Sequence, residues 1–199
     1  GSDLSMATGL TSACCVIERD GKLHVFSHFW LPEEKIEEAT ANDQVPYWQY
    51  VQRGILTLSG GNIVDYKQVY EWFVDLVEKY RILPIQIGYD KYSSQYLIQD
   101  LKTYGFHCDD VIQGGNLTGV ILETEARFKD GAMSIGNNDL LKIHCADSAL
   151  KIDSTTNRRR LIKIRKYSHV DGMAALLDAM CMRAKWHSEI GEQLKNIGR

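Results

Sequence analysis

The sequence predicts an α/β fold in which helices cover a central mixed sheet. Two strands joined by a tight turn come first, strands then alternate with helices, and a second pair of strands precedes a long final helix. Hairpin strands are antiparallel, whereas strands separated by a helix are usually parallel, so the sheet should contain both directions. The 199 residues suffice for one domain with a substantial core.

The first half of the chain begins with the predicted hairpin. Asp20-Gly21 joins the two β-forming runs of "TSACCVIERDGKLHVFSHFWL", and this dipeptide is typical of hairpin turns. Pro32 and the two following glutamates favour a helix start in "LPEEKIEEATAND". After an aromatic, glycine-interrupted stretch comes a short extended piece, "ILTL". Apolar residues then recur at helical spacing from Tyr66 to Tyr80, which predicts a helix.

The second half alternates between strands and helices. The apolar strand "IQIGYD" ends in Asp90, the helix "SSQYLIQDLKTYGF" stops at Gly105, "CDDVIQGG" is a strand, and "TGVILETEARFKDG" is helical. "IHCADSALKI" and "RRLIKIRK" are predicted to be the strands of a second hairpin with the polar tip "DSTTN". "VDGMAALLDAMCMRAKWHSEIGEQLKNI" forms the last helix. Because no repeat or linker interrupts this order, we expect a single domain.

The composition is typical of a soluble globular protein, with 44% hydrophobic and 25% charged residues. No apolar run approaches the roughly 18 residues that cross a bilayer, so no membrane partner is expected. The five cysteines are odd in number and form no C-x-x-C pair, which argues against a disulfide framework.

The overall charge of −3 argues against bulk attraction to nucleic acid, but positive charge is concentrated locally. The stretch "RRRLIKIRK" places six positive charges in nine residues. Such a run is often only a solvated face; the alternative is a surface that contacts phosphates. The candidate DNA-binding residues in it are Arg160, Lys163, Arg165 and Lys166.

Three aspartates occupy positions where an α/β sheet gathers functional groups. Asp3 ends the predicted first strand, Asp90 ends "IQIGYD", and Asp171 begins the last helix. Clustered carboxylates repel one another unless a divalent cation lies between them, and their hard oxygens suit Mg²⁺ or Mn²⁺. Two such ions support in-line hydrolysis of a phosphodiester. Asp3, Asp90 and Asp171 are therefore the predicted catalytic and metal-binding residues.

Three further residues have two interpretations each. Asp178 lies about 10.5 Å along the last helix from Asp171, either as a fourth metal ligand or as a buried or capping carboxylate. His169 contacts the scissile phosphate or activates water, or else it is a simple surface histidine. Lys91, beside Asp90, is a candidate phosphate contact or a solvated side chain.

Five stretches of the chain, in order and over nearly its whole length, resemble the C-terminal nuclease domain of the large terminases of tailed phages, within the ribonuclease-H-like superfamily. The stretches are "DLSMATGLTSACCV", "FWLPEE", "VPYWQYVQRGILTLSGGNIVDY", "GYDKYSSQYLIQDLKTYGF" and "HVDGMAALLDAM". The resemblance implies a ribonuclease-H-like fold, a central mixed β-sheet flanked by helices, with an additional β-hairpin before the last helix.

The resemblance also implies an activity. Family members cut concatemeric double-stranded DNA with a carboxylate cluster and Mg²⁺ or Mn²⁺, here two ions at Asp3, Asp90 and Asp171. It implies the small terminase, portal and procapsid as partners of the full-length protein, and the host cell cytoplasm as its location. The family's packaging ATPase has a phosphate-binding loop, and no G-x-x-x-x-G-K-[ST] occurs in this sequence. Residues 1–199 are therefore expected to be a single nuclease domain without the ATPase.

Two other functions stay open from the sequence. One is another ribonuclease-H-like DNA enzyme, such as an integrase, a transposase or a Holliday-junction resolvase, which would use the same carboxylates. The other is a fragment without catalytic activity that docks to the portal or procapsid. Preference for branched DNA distinguishes the resolvase, and absence of divalent-ion binding distinguishes the docking fragment.

Overall fold

The computed structural model describes residues 2–3, 9–90 and 95–197, which form nine strands and seven α-helices. The strands are β1 (Ser2–Asp3), β2 (Thr11–Arg19), β3 (Lys22–Pro32), β4 (Leu56–Ser59), β5 (Ile87–Asp90), β6 (Cys108–Val111), β7 (Met133–Ser134), β8 (Ser148–Ile152) and β9 (Arg159–Lys163). The helices are α1 (Ile36–Asp43), α2 (Tyr47–Gln52), α3 (Tyr66–Glu78), α4 (Gln95–Tyr104), α5 (Thr118–Lys129), α6 (Asp139–Ala146) and α7 (Asp171–Ile197). None of these described helices is both long and apolar enough to span a membrane.

The central sheet is mixed, as the sequence predicts. Its strand order is β4-β3-β2-β1-β5-β6, and β7 also pairs with β3. The β2–β3 hairpin is antiparallel, and both turn residues, Asp20 at φ 53° and Gly21 at φ 74°, adopt the left-handed conformation that such a turn requires. β1 pairs antiparallel with β2 and parallel with β5, and β5 pairs parallel with β6. The carboxyl ends of β1, β5 and β6 therefore share one edge of the sheet.

Helices bury both faces of this sheet. Phe29 and Trp30, adjacent on β3, belong to different core clusters because neighbouring strand residues point to opposite faces. Phe29 shares its cluster with buried residues of α6 and α7, whereas Trp30 shares its cluster with buried residues of α3 and α4. Helix α7 thus lies on the opposite side of the sheet from α3 and α4.

The predicted strand "IHCADSALKI" is wrong in its first half. Residues 139–146 form helix α6, and only Ser148–Ile152 is extended as β8. The Asn138 side chain caps α6 by accepting a hydrogen bond from the N–H of Leu141 at 3.0 Å. Leu141 and His144 are buried on the side of α6 that faces the core. The β-branched and apolar residues of this segment fit either a strand or a helix. The segment is helical because a helix buries one of its sides against the core.

A partly buried histidine on β3 should make folding stability depend on pH. Burial lowers the pKa of His28 to about 4 from 6.5, and its Nε2 lies 2.8 Å from the Thr57 hydroxyl. Because the unfolded chain binds the proton more readily, the contribution of His28 to the free energy of unfolding is fully present above about pH 6.5. It is lost as the pH falls toward 4. We expect His28 to account for a loss of about 2 kcal/mol at pH 5 relative to pH 7.

Urea unfolding at pH 7 and pH 5 measures this loss. His28→Gln should reduce the difference between the two pH values, whereas His107→Gln, at an exposed position, should not change it. An equal pH dependence in wild type and His28→Gln would contradict the prediction.

Candidate functional site

Asp3 and Asp90 end neighbouring parallel strands. Ser2 of β1 is in register with Tyr89 of β5, so Asp3 and Asp90 occupy the next register position along both strands. Asp90 is half-buried and is itself in register with Val111, the last residue of β6. The backbone therefore places both aspartates at the same edge of the sheet; the side chain of Asp3 lies outside the described part of the structure.

Helix α7 packs closely over this edge because β5 contains a glycine. A Cβ added to Gly88 would lie 2.7 Å from the backbone oxygen of Asp178 and 2.7 Å from Cγ of Met182. Real Cβ atoms do not approach other heavy atoms so closely, so only glycine permits this spacing. Gly88 thus sets the distance between α7 and the strand that ends in Asp90.

Asp178 is fully buried on α7, and one of its two carboxylate oxygens has no partner within the described residues. Its Oδ1 accepts a hydrogen bond from Nε2 of Gln113 at 2.7 Å, and its Oδ2 has no hydrogen-bond partner among the described residues. Burial, with a smaller contribution from the charge of Asp90, raises the pKa of this carboxyl to about 7 although the Gln113 hydrogen bond opposes the rise. A buried carboxylate oxygen without a donor favours a bound proton or a cation.

Asp171 has a different environment at the start of the same helix. It is buried, and its Oδ2 accepts a hydrogen bond from Nδ1 of His169 at 3.2 Å. Burial by itself raises the pKa of Asp171, but the His169 hydrogen bond and the neighbouring histidine charges lower it below its usual value. Asp171 therefore has a cationic partner within the protein.

That partner, His169, lies between two carboxylates. Its Nε2 donates to Oδ2 of Asp43 at 2.9 Å, and the Tyr47 hydroxyl donates to the same oxygen at 2.9 Å. Burial lowers the pKa of His169, but the hydrogen bonds to Asp171 and Asp43 outweigh it and raise the pKa to about 9. His169 is therefore positively charged at neutral pH, and both of its ring nitrogens are engaged. Its predicted contact with phosphate stays a prediction.

The donor set at the sheet edge fits a hard divalent cation. Asp90 and Asp178 are close enough to influence each other's charge, and Asp3 is beside Asp90 by register. Ser12, in register with Asp3, also has a buried hydroxyl without a partner in the described part of the chain. Carboxylate and hydroxyl oxygens are the ligands that Mg²⁺ and Mn²⁺ prefer. Among the described side chains, which exclude that of Asp3, no three His, Cys, Asp or Glu residues form a metal site by themselves.

The hairpin β8–β9 has one apolar and one basic face. Leu150 and Leu161 are in register and pack against the core cluster that contains Leu177 of α7. On the opposite face Lys151 is in register with Arg160, and both are exposed. Like charges directly opposite each other repel, so this face favours an anionic partner.

The other predicted basic residues are exposed but do not share this face. Lys163 lies two residues after Leu161, so it projects from the same side of β9 as that leucine. The side chain of Arg165, beyond the end of β9, is 79% exposed with its guanidinium 3.7 Å from Asp147. The Nζ of Lys166 lies 5.1 Å from the ring centroid of Tyr167. Lys91 lies outside the described residues.

Sequence reasoning missed two of these residues. Gln113 and Asp43 lie in loop or helix-end segments with no motif around them, and each gains its role only by contact with α7 or with the loop before it. The predicted strand "CDDVIQGG" included Gln113, whereas β6 ends at Val111, two residues before it. A polar residue close to the end of a strand was the signal that the sequence offered.

Residues 1–188 match the sequence model of a protein family, which is described as "Terminase large subunit, endonuclease domain". Over 180 residues the chain is 28% identical to the large terminase subunit of Enterobacteria phage HK97, covering 88% of this chain and 35% of that protein. Over 173 residues it is 24% identical to Protein YmfN of Escherichia coli strain K12, covering 82% of this chain and 37% of that protein. The chain thus spans about a third of the length of these curated relatives.

Solved structures share the fold. The crystal structure of the HK97 large terminase matches with a TM-score of 0.80 and 24% identity, over 90% of this chain and 38% of that one. The large terminase nuclease of thermophilic phage G20c matches with a TM-score of 0.59 and 9% identity, over 90% of this chain and 78% of that one. The same nuclease with bound magnesium gives a TM-score of 0.57, 9% identity and coverage of 91% and 78%.

Proposed function

Because the chain belongs to the family of terminase large-subunit endonuclease domains, we propose that it is a metal-dependent endonuclease that cleaves double-stranded phage DNA concatemers during genome packaging. The observation that carries this proposal is the buried Asp178 carboxylate, whose Oδ2 lacks a donor in the described part of the chain and whose pKa responds to Asp90. The related G20c nuclease was crystallised with magnesium, which supports a divalent cation here as well.

We place two Mg²⁺ or Mn²⁺ ions at the carboxyl edge of the sheet, held by Asp3, Asp90 and Asp178. When bound, such ions supply Lewis-acid activation of water and stabilise charge on the leaving oxygen. Asp171 stays a predicted ligand, but we rank Asp178 before it because the charge of Asp171 is already balanced by His169. The protein's own contribution is to hold the carboxylates together in a buried setting, which their mutual repulsion would otherwise oppose.

The basic face of the hairpin is proposed to hold the DNA backbone next to this edge. Contacts to phosphates position a duplex without selecting a sequence, which suits a nuclease of low sequence preference. The predicted phosphate contacts are Lys91, Arg160, Lys163, Arg165, Lys166 and His169, to which the structure adds Lys151 opposite Arg160.

DNA affinity should depend steeply on salt. If about four side chains reach phosphates, affinity falls roughly a hundredfold for a fourfold rise in salt. Lys151→Ala combined with Arg160→Ala, which removes both charges of the basic face, should reduce the slope of log affinity against log salt by about 2. Fluorescence anisotropy of a labelled duplex, measured in EDTA to prevent cleavage, gives both slopes.

The matched control replaces two exposed lysines outside the β8–β9 hairpin, Lys22 and Lys67, with alanine. We expect the wild-type slope for that variant. Equal slopes for all three proteins would show that the hairpin does not hold DNA.

Incubation of the protein with supercoiled plasmid and Mn²⁺ tests the activity itself. We expect nicked and linear products with Mn²⁺ and none with EDTA. A four-way junction cut in strong preference to linear duplex would instead indicate a resolvase, and no cutting with no Mn²⁺ binding by calorimetry would indicate a docking fragment.

The remaining proposals concern the longer protein, because the chain spans about a third of its relatives. We propose that residues 1–199 are one nuclease domain that acts in the host cell cytoplasm together with the small terminase, portal and procapsid. Binding of the purified chain to a purified portal tests the last of these partners.

A further inference from the structure

Gln113 directly contacts the carboxylate on which the proposed site depends. It lies two residues after Val111, where β6 ends at the carboxyl edge of the sheet. Its Nε2 donates to Oδ1 of Asp178 at 2.7 Å, a contact between residues 65 positions apart in sequence. Asp178 therefore uses one oxygen within the protein and keeps Oδ2 without a partner among the described residues.

The loop that carries Gln113 is held in place by the residues that follow it. Gly114 has φ 87°, a backbone conformation that favours glycine and turns the chain sharply after Gln113. The Thr118 hydroxyl donates to the carbonyl of Gly115 at 2.7 Å and accepts from the N–H of Arg159 on β9 at 2.8 Å. The loop is thus tied to the basic hairpin, and the side-chain amide of Gln113 reaches Asp178 from a fixed backbone.

A neutral donor and a cationic donor have different consequences for a carboxylate. The amide of Gln113 orients the Asp178 carboxyl group without cancelling its charge. In contrast, His169 neutralises Asp171 with an imidazolium. A carboxylate that is oriented but not neutralised is suited to bind a cation, and hydrogen bonds to metal ligands from such outer residues commonly control affinity.

We propose that Gln113 is a positioning residue for the nuclease reaction: it fixes the Asp178 carboxyl group through Oδ1 so that Oδ2 is free for the divalent cation. This inference rests on the proposed function. Gln113 acts through Asp178 and touches neither the DNA nor the reacting atoms.

Gln113→Met tests the proposal, because methionine keeps the unbranched length of the side chain but cannot donate. Isothermal titration of the whole chain with MnCl₂ alone should give a dissociation constant about tenfold above that of wild type. In plasmid nicking, the half-saturating Mn²⁺ concentration should rise by the same factor, while the rate at saturating Mn²⁺ stays within about threefold of wild type. A purely structural role would lower the melting temperature in EDTA without this selective change in Mn²⁺ dependence.

Gln99→Met is the matched control, since Gln99 is exposed on α4 and its side-chain amide donates to the Thr103 hydroxyl of the same helix. It should bind Mn²⁺ like wild type. If Gln113→Met does not fold, Gln113→Leu replaces it with the same expectation. Wild-type Mn²⁺ affinity in the folded Gln113 variant overturns the proposal.

The Asp90→Asn and Asp178→Asn variants separate this failure from failure of the proposed function. If both lose Mn²⁺ binding while the Gln113 variant does not, the positioning role is wrong and the nuclease site stands. If both bind Mn²⁺ and nick like wild type, the site itself is wrong, and the positioning role is wrong with it.

Discussion

Asp90→Asn and Asp178→Asn are each expected to lower the rate of Mn²⁺-dependent plasmid nicking by roughly a thousandfold or more. Each substitution keeps the shape of the side chain but removes the negative charge that would hold a cation at the sheet edge. Asp178→Asn should not lower the melting temperature in EDTA, because a neutral amide costs less to bury than a carboxylate whose Oδ2 meets no donor in the described ranges of the chain. Initial nicking rates and melting curves from the same preparations measure both effects.

Two further variants make this result specific. Asp100→Asn, at an exposed position on α4, should nick like wild type. Asp171→Asn should lose less activity than Asp178→Asn, since Asp171 is paired with His169. The opposite order would return the third ligand position to Asp171, and equal nicking by wild type and Asp90→Asn would remove the site altogether.

Gly88→Ala should damage stability and activity together. Its Cβ would meet the backbone oxygen of Asp178 and Cγ of Met182 at 2.7 Å and Cγ2 of Val111 at 3.1 Å. Backbone cannot yield as a flexible side chain does, so α7 must move away from β5, at a cost of about 1–3 kcal/mol in the free energy of unfolding. Because that movement shifts Asp178 relative to Asp90, nicking should fall on the order of a hundredfold.

Gly119→Ala provides the comparison, because a Cβ there meets nothing within 4 Å and the residue lies inside helix α5. It should be neutral or stabilise the protein by up to about 1 kcal/mol, with unchanged nicking. Urea unfolding measures the free energy of unfolding of both variants, and plasmid assays measure their nicking rates. Wild-type stability and activity in Gly88→Ala would mean that the close contact between β5 and α7 does not govern the site.

The elements with strong local patterns were predictable. Asp20-Gly21 made the first hairpin recognisable, the helical spacing between Tyr66 and Tyr80 corresponds to α3, and Gly105 ends α4 with φ 113°. The positions of Asp90 at a strand end and Asp171 at a helix start also follow from such patterns. Helix α6 could not be predicted from a local pattern, because its apolar and β-branched residues suit a strand as well. Only burial of one face selects the helix.

The candidate site shows the same division. Sequence position could identify aspartates at the ends of elements, but it could not distinguish Asp171 from Asp178 on one helix. That distinction depends on which neighbours each carboxylate meets: a histidine held by Asp43 for the first, a glutamine amide and Asp90 for the second.

The sequence by itself determined the family, the mixed α/β architecture and the residue types available for chemistry, because these are expressed in local periodicity, turn residues and contiguous motifs. Only the tertiary structure decided which carboxylates share an edge of the sheet, which one is neutralised by a histidine and which has an oxygen without a donor among the residues that the structure describes. The reason is that charge and solvation act through space: Gln113 and Asp178 are 65 positions apart in the chain and 2.7 Å apart in the fold.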